Sequence, residues 1–213
     1  MSAVVTPPPV GVRSLAPPPL PPHDLFDRLR RFSRDEYHKM MGAGVLYEGE
    51  PVELLEGLVV CKISKGTPHE SCVRRLTVRL PRYLPDCWFV QIQNAIGLAD
   101  GEPEPDGAIL RGDVADFDGH HPEPDEIGVV VEVSDSSLIA DRRDKGRQYS
   151  RAAIAVYWVM NLIDRQVEVY TDPDPSADPP RYQTTTIYTP GQDVPVVLEG
   201  VQVATIPAAD LLP

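Results

Sequence analysis

Three charged residues stand where chemistry could be done: Asp106, then Glu132, then Lys145. Glu132 sits among Ile127, Val129, Val130, Val131 and Val133, an apolar run of the kind found in a strand covered on both faces. Moving an unpaired carboxylate out of water costs roughly several kcal/mol, so a glutamate there needs an ion pair, hydrogen bonds or a metal. Asp106 follows Pro105 and opens another strand, "DGAIL". If the two strands are neighbours, their carboxylates can converge on one divalent cation, and magnesium or manganese suits such hard oxygen ligands. A cation so held polarises a phosphate and acidifies a bound water, while a nearby ammonium such as that of Lys145 steadies developing negative charge. Those are the parts that phosphodiester hydrolysis requires. On spacing alone Asp106 fits a turn or cap as well as a site, and Lys145 fits a solvated helix face. The burial of Glu132 is the feature that favours function.

The elements that must position these residues follow from pattern. "FSRDEYHKM" carries Ser33 as N-cap with Glu36 three residues later, a capping box, and Phe32 and Tyr37 are placed as a hydrophobic staple, so a short helix starts there. "VELLEGLVVCKI" reads as a hairpin turning at Glu56-Gly57. From His69 to Tyr83, Cys72, Leu76, Val78 and Leu80 alternate with Arg74, Arg75, Arg79 and Arg82, an amphipathic helix with a basic outer face. "CWFVQIQNAIGLA" predicts a strand, "DGEPEP" a loop, "RGDVADFDGHHPEPDE" a long polar loop, and Leu138 to Ala152 a helix. "AVYWVMN" and "QVEVYT" are further strands, "TDPDPSADPPR" is a turn-rich loop, and the tail from Tyr182 predicts short antiparallel strands, with a hairpin laid on the main sheet. The order describes an α/β fold with a mixed central β-sheet flanked by helices, plus C-terminal antiparallel strands.

The opening "MSAVVTPPPVGVRSLAPPPLPPHDL" is proline-dense with no periodic apolar face, so residues 1–31 are read as an extended or disordered arm and 32–213 as one domain. No stretch reaches the roughly 18 apolar residues of a membrane span, and the N-terminus lacks a secretory layout, which predicts a cytoplasmic protein. Cys61, Cys72 and Cys87 are odd in number and far apart, so they are read as reduced thiols packing as small hydrophobes. A net charge of −12 argues against non-specific DNA binding by the whole surface, although a local basic patch can coexist with it.

Other polar residues were weighed on the same terms. His120 and His121 beside Asp118 are adjacent and so point apart, which makes them solvent-facing rather than metal ligands. His69, next to Pro68 at a helix start, is a candidate to approach the site. "SDSS" lacks a nucleophile elbow; Ser136 or Ser137 is better read as a helix cap, with Asp135 near the helix's positive end.

The stretch from "EPEPDGAIL" through "VVVEVSDSSLIADRRDKGRQYSRAAIAVYWVMN" to Tyr170 resembles the Uma family of restriction-endonuclease-like proteins, a branch of the PD-(D/E)xK nuclease superfamily. "ELLEG", "GTPHE" and "VQIQNAIGL" resemble earlier elements of the same family, so the likeness runs from about Phe32 to Tyr170. It implies a restriction-endonuclease-like core of αβββαβ type, with Asp106 and Glu132 as metal ligands and Glu53 as a further acid of the site. The superfamily's common lysine, two residues after the second acid, is Ser134 here, and the resemblance offers Lys145 on the following helix in its place. Gln93 and Tyr149 match recurrent polar positions, and Tyr149, four residues after Lys145, shares its helix face. The expected activity is magnesium- or manganese-dependent endonuclease action on nucleic acid, DNA foremost, by a homodimer. The alternatives are a non-catalytic binding module on the same fold and a metal-dependent phosphoesterase acting on nucleotides.

Overall fold

Six strands make the central sheet, in the order β3-β4-β5-β6-β7-β8: Trp88–Gln91, Gly107–Arg111, Ile127–Ser134, Val156–Asn161, Gln166–Asp174 and Arg181–Tyr188. All neighbours run antiparallel except β5 and β6, which are parallel. The computed structural model describes residues 28–47, 49–63 and 65–213, and Arg31–Pro213 form one compact unit. The arm expected over residues 1–31 lies almost wholly outside the described residues. No described helix is long and apolar enough to cross a membrane.

The parallel pair requires a crossover, and helix α3 supplies it, running from Leu138 through a π-helical turn at Asp141–Lys145 to Arg151. Helix α2 spans Thr67–Arg79, two residues earlier at its start than the periodicity from His69 predicts, because Pro68 fits the first turn, where no N–H is needed. It continues as a 3₁₀ turn over Leu80–Tyr83. The run α2, β3, β4, β5, α3, β6 is the αβββαβ order.

The two faces of the sheet bury separate clusters. Val129, Val131 and Val133 of β5 pack with Cys72, Val73, Leu76 and Leu80 of the α2 segment, while Val130 faces Tyr149 of α3 and Tyr157 of β6. Val78 is 57% exposed rather than part of the α2 stripe, because two residues, about 200° of helix, separate it from the buried Leu76. Leu76 is fully buried, so Leu76→Ala would cost about 3 kcal/mol.

Helix α1, Arg34–Gly42, has the capping box at Ser33 and Glu36. Strands β1 (Val52–Leu55) and β2 (Leu58–Cys61) pair as a hairpin whose turn places both Glu56 and Gly57 at positive φ, the geometry that matches strand twist. Three expectations need correction. The segment after Gln91 leaves the strand, since Gln93 adopts a positive φ, and Ile96 and Leu98 are buried without belonging to a strand. Strand β7 runs on to Asp174 into the turn-rich stretch, paired with β8, so part of the tail joins the main sheet as its edge. Only β9 (Asp193–Leu198) and β10 (Val201–Pro207) form a separate hairpin, followed by a short helix α4, Ala208–Leu211, which pattern did not suggest. That hairpin closes on one sheet face so tightly that a Cβ at Gly128 would meet Leu198 Cδ2 at 2.7 Å and Trp88 Cζ3 at 2.6 Å. Of the three thiols, all free, only Cys72 packs inside; Cys61 and Cys87 are exposed.

Candidate active site

Side chains alternate along β5, so Glu132 projects to the same face as Val130, toward α3. There the π turn and the helix after it deliver two donors to one oxygen: Lys145 Nζ lies 2.9 Å and Tyr149 OH 2.6 Å from Glu132 Oε1. Among the described residues Oε2 receives no hydrogen bond. Asp106 immediately precedes Gly107, which pairs with Val131, and its Oδ2 accepts the Val133 N–H at 2.9 Å, which brings it beside Glu132. Glu53 of β1 reaches the same ammonium, with Oε2 at 3.5 Å from Lys145 Nζ, while accepting the Glu104 N–H at 3.1 Å. Glu53, Asp106, Glu132 and Lys145 line one cleft of about 290 Å³, together with Lys65, His69 and Asp141, while Tyr149 lies buried behind it.

Asp106 is better satisfied than Glu132. Its Oδ1 accepts from Lys65 Nζ at 2.8 Å and Gln93 Nε2 at 3.2 Å, and its Oδ2 from His69 Nε2 and the Val133 N–H, each at 2.9 Å. Burial alone would raise its pKa, but His69 and Lys65 outweigh that and hold the carboxyl well below the usual range. Glu132 goes the other way. Burial, with Asp141 and Asp106 nearby, pushes it up to about 8 against the pull of Lys145 and the Tyr149 hydroxyl. Burial would lower Lys145, yet Glu132 and Glu53 hold its ammonium charged far above neutrality. Tyr149 is kept a phenol by burial and by the adjacent Glu132.

The π turn sets where Lys145 stands on its helix. The Gly146 N–H bonds back to the Asp141 carbonyl, five residues away, and the widened turn carries Lys145 over the end of β5. The Tyr157 hydroxyl donates to that same carbonyl at 3.1 Å, holding the irregular turn in place. Ser134, two residues after Glu132, donates to Asp141 Oδ2 at 2.7 Å, and Ser137 does so at 2.6 Å. Ser137 thus occupies the N-cap without making a side-chain cap bond; its hydroxyl serves Asp141 instead.

Sequence reasoning passed over two residues of this cleft. Asp141 is 4% exposed and four residues before Lys145, so the helix spacing could have found it. Lys65 lies in the turn-forming "SKGTP", with no periodicity to mark it. Neither His120 nor His121 lines the cleft: His120 Nε2 faces Glu126 at 3.3 Å, and His121 faces Glu102. The basic face of α2 is partly neutralised within the chain, Arg79 by Asp210 at 2.5 Å and Arg74 by Glu70 at 3.6 Å, and Arg75 hydrogen-bonds the Ala209 carbonyl at 3.5 Å.

The donor set fits a hard divalent cation. Two buried carboxylates line one cleft, one of them with an oxygen that receives no hydrogen bond among the described residues, and Lys65, 37% exposed on its loop, is the donor to Asp106 that can give way.

Comparison with known proteins gives the family and the fold. A family model described as "Uma2: Putative restriction endonuclease" matches residues 34–208. Among solved structures, a putative nuclease belonging to DUF820 from Anabaena variabilis ATCC 29413 superposes with a TM-score of 0.59 at 16% identity. That match covers 84% of this chain and 97% of the other, and at such identity it speaks for the fold. No curated protein matches the chain.

Proposed function

Because this chain belongs to the Uma2 family of putative restriction endonucleases, we propose that it is a metal-dependent endonuclease that hydrolyses phosphodiester bonds of DNA. The observation that carries this reading is the placement of Lys145 Nζ 2.9 Å from Glu132 Oε1 and 3.5 Å from Glu53 Oε2, beside Asp106, in one cleft. Asp106 and Glu132 would hold magnesium or manganese, which supplies Lewis-acid polarisation of the phosphate and a more acidic bound water.

The chain's own groups do the rest. His69 and Gln93 fix the Asp106 carboxylate, and Tyr149 fixes that of Glu132, so both acids are oriented before a cation arrives. Lys145 presents a permanent ammonium to the cleft, where it orients the attacking water or offsets negative charge on the phosphoryl oxygens of the pentacoordinate transition state. Glu53 keeps that ammonium aimed inward. Lys65, once displaced from Asp106, is placed to contact a phosphate oxygen.

The test is nicking of supercoiled DNA, and cleavage of single-stranded DNA, with magnesium or manganese. The parent should cleave and Glu132→Gln should not. A parent that binds DNA without cutting it under either metal indicates a binding module on this fold, and one that cuts only nucleotides indicates a phosphoesterase.

A further inference from the structure

Away from the cleft, His38 of α1, Glu102 in the turn before β4, and His121 in the loop before β5 bring three ligand atoms within 4.8 Å of one another, the one such set of three among the described residues. We propose that they form a zinc site, distinct from the magnesium-type site of the cleft.

The spacing fits. His38 Nε2 stands 3.0 and 2.8 Å from Oε1 and Oε2 of Glu102, and His121 Nε2 stands 3.5 Å from Oε1. Tetrahedral zinc with bonds of about 2.0 to 2.2 Å holds its ligand atoms roughly 3.4 Å apart, so small side-chain adjustments suffice. Two imidazoles and one carboxylate favour zinc over magnesium. Glu102 forms a buried floor at 5% exposure, while the His38 and His121 side chains are 46% and 43% exposed, leaving a mouth through which an ion can enter and keep a water as fourth ligand. The floor is rigid: the Glu102 N–H donates to the Leu54 carbonyl at 2.7 Å. Among the described residues Arg34 is the arginine or lysine that touches Glu102. It spends its shorter contact on Glu123, at 2.7 Å, and touches Glu102 Oε2 at 3.4 Å, which leaves it in the outer layer of the site as a group that orients the carboxylate. The three ligands come from a helix and two separate loops, and α1 buries only Tyr37, so an ion here would add a tether between the helix and the two loops.

The test uses full-length protein, stripped with a chelator and titrated with zinc, and with cobalt as a visible-spectrum probe of tetrahedral coordination. An Asp106→Asn/Glu132→Gln background removes cation binding by the cleft. One zinc per chain should survive in that background, and its affinity should fall at least about 10-fold in His38→Gln and in His121→Gln. His120→Gln, altering the adjacent histidine, should bind like the background. At roughly 100-fold excess over Kd, zinc should raise the thermal midpoint of the background by about 5 °C, and this rise should vanish in the His38→Gln/His121→Gln pair. Binding lost with the cleft residues but kept in that histidine pair would overturn the proposal, as would a background protein that takes up no zinc; either result would make His38 and Glu102 an ordinary ion pair.

Discussion

Glu132 of β5 and Glu168 of β7 lie in one row across the sheet, each directly opposite Val159 of the strand between them, and both are almost wholly buried. Their surroundings differ. Glu168 accepts from Arg142 through two nitrogens, from Asn161 at 2.7 Å, from Gln166 at 2.9 Å and from Tyr170 at 2.7 Å. Burial would raise it, but these donors bring it down to about 2. Glu132 has two donors, both on one oxygen, and stands near 8. A carboxylate with every lone pair occupied is structural. One left short of partners in a cleft is available for a ligand. Burial alone does not separate the two cases; the donor count does.

Exchange of each glutamate for glutamine is the sharpest way to break this comparison. Glu132→Gln should abolish metal-dependent cleavage, a loss of at least about 100-fold, while its chemical midpoint in urea holds or rises. Glu168→Gln should leave the cleavage rate per folded molecule near that of the parent and lower stability by about 2 kcal/mol. If both variants behave alike in the two assays, the distinction fails.

The cations opposite them should differ in the same sense. Lys145→Ala should cost about 100-fold in activity, keep metal binding, and destabilise by about 2 kcal/mol, since it strips the main partner from a buried acid. Arg142 is 40% exposed and one donor among four side chains, so Arg142→Ala should cost only about 1 kcal/mol, read from urea unfolding.

The pH dependence should have opposite signs. Glu168 is depressed in the folded state, so its contribution is present above the usual pKa near 4.5 and is lost as pH falls toward about 2. Glu132 is raised, so without metal its protonated form favours the fold, and that support is lost as pH rises from about 4.5 through about 8. Urea midpoints in chelator should therefore show Glu132→Gln gaining on the parent as pH climbs, and Glu168→Gln losing ground between pH 2 and 4.5. The smallest effect should come from Tyr149→Phe, which leaves Lys145 in place and should slow cleavage by about 10-fold or less at neutral pH, measured as single-turnover rates.

How far the residues themselves revealed this can be seen in the same pair. Glu132 was marked by the apolar run around it, and its partners came from spacing and from family likeness. "QVEVY" around Glu168 carries a comparable signal and drew no attention, because its donors Asn161, Gln166 and Tyr170 are local and read as ordinary strand residues. The order of strands and helices was legible because amphipathic periods and caps are written locally. The edge role of β8, the closing of the β9–β10 hairpin on the sheet and the donors around Asp106 were not, since they depend on segments far apart in the chain meeting in space. Lys65 reaches Asp106 from 41 residues away, and no pattern records that.

The π turn has a consequence for how this chain tolerates changes in length. A π turn is an α-helix carrying one residue too many, and here the surplus lies between Arg142, which serves Glu168, and Lys145, which serves Glu132. Deleting Arg143, a 70% exposed side chain, would let the Gly146 N–H close on the Asp141 carbonyl as an ordinary α-helical bond, so the helix from Gly146 onward would keep its facing while the stretch between, which carries Lys145, would be re-aimed. A one-residue gap at this point would therefore bear on the partner of Glu132 more than on the packing of the helix beyond it.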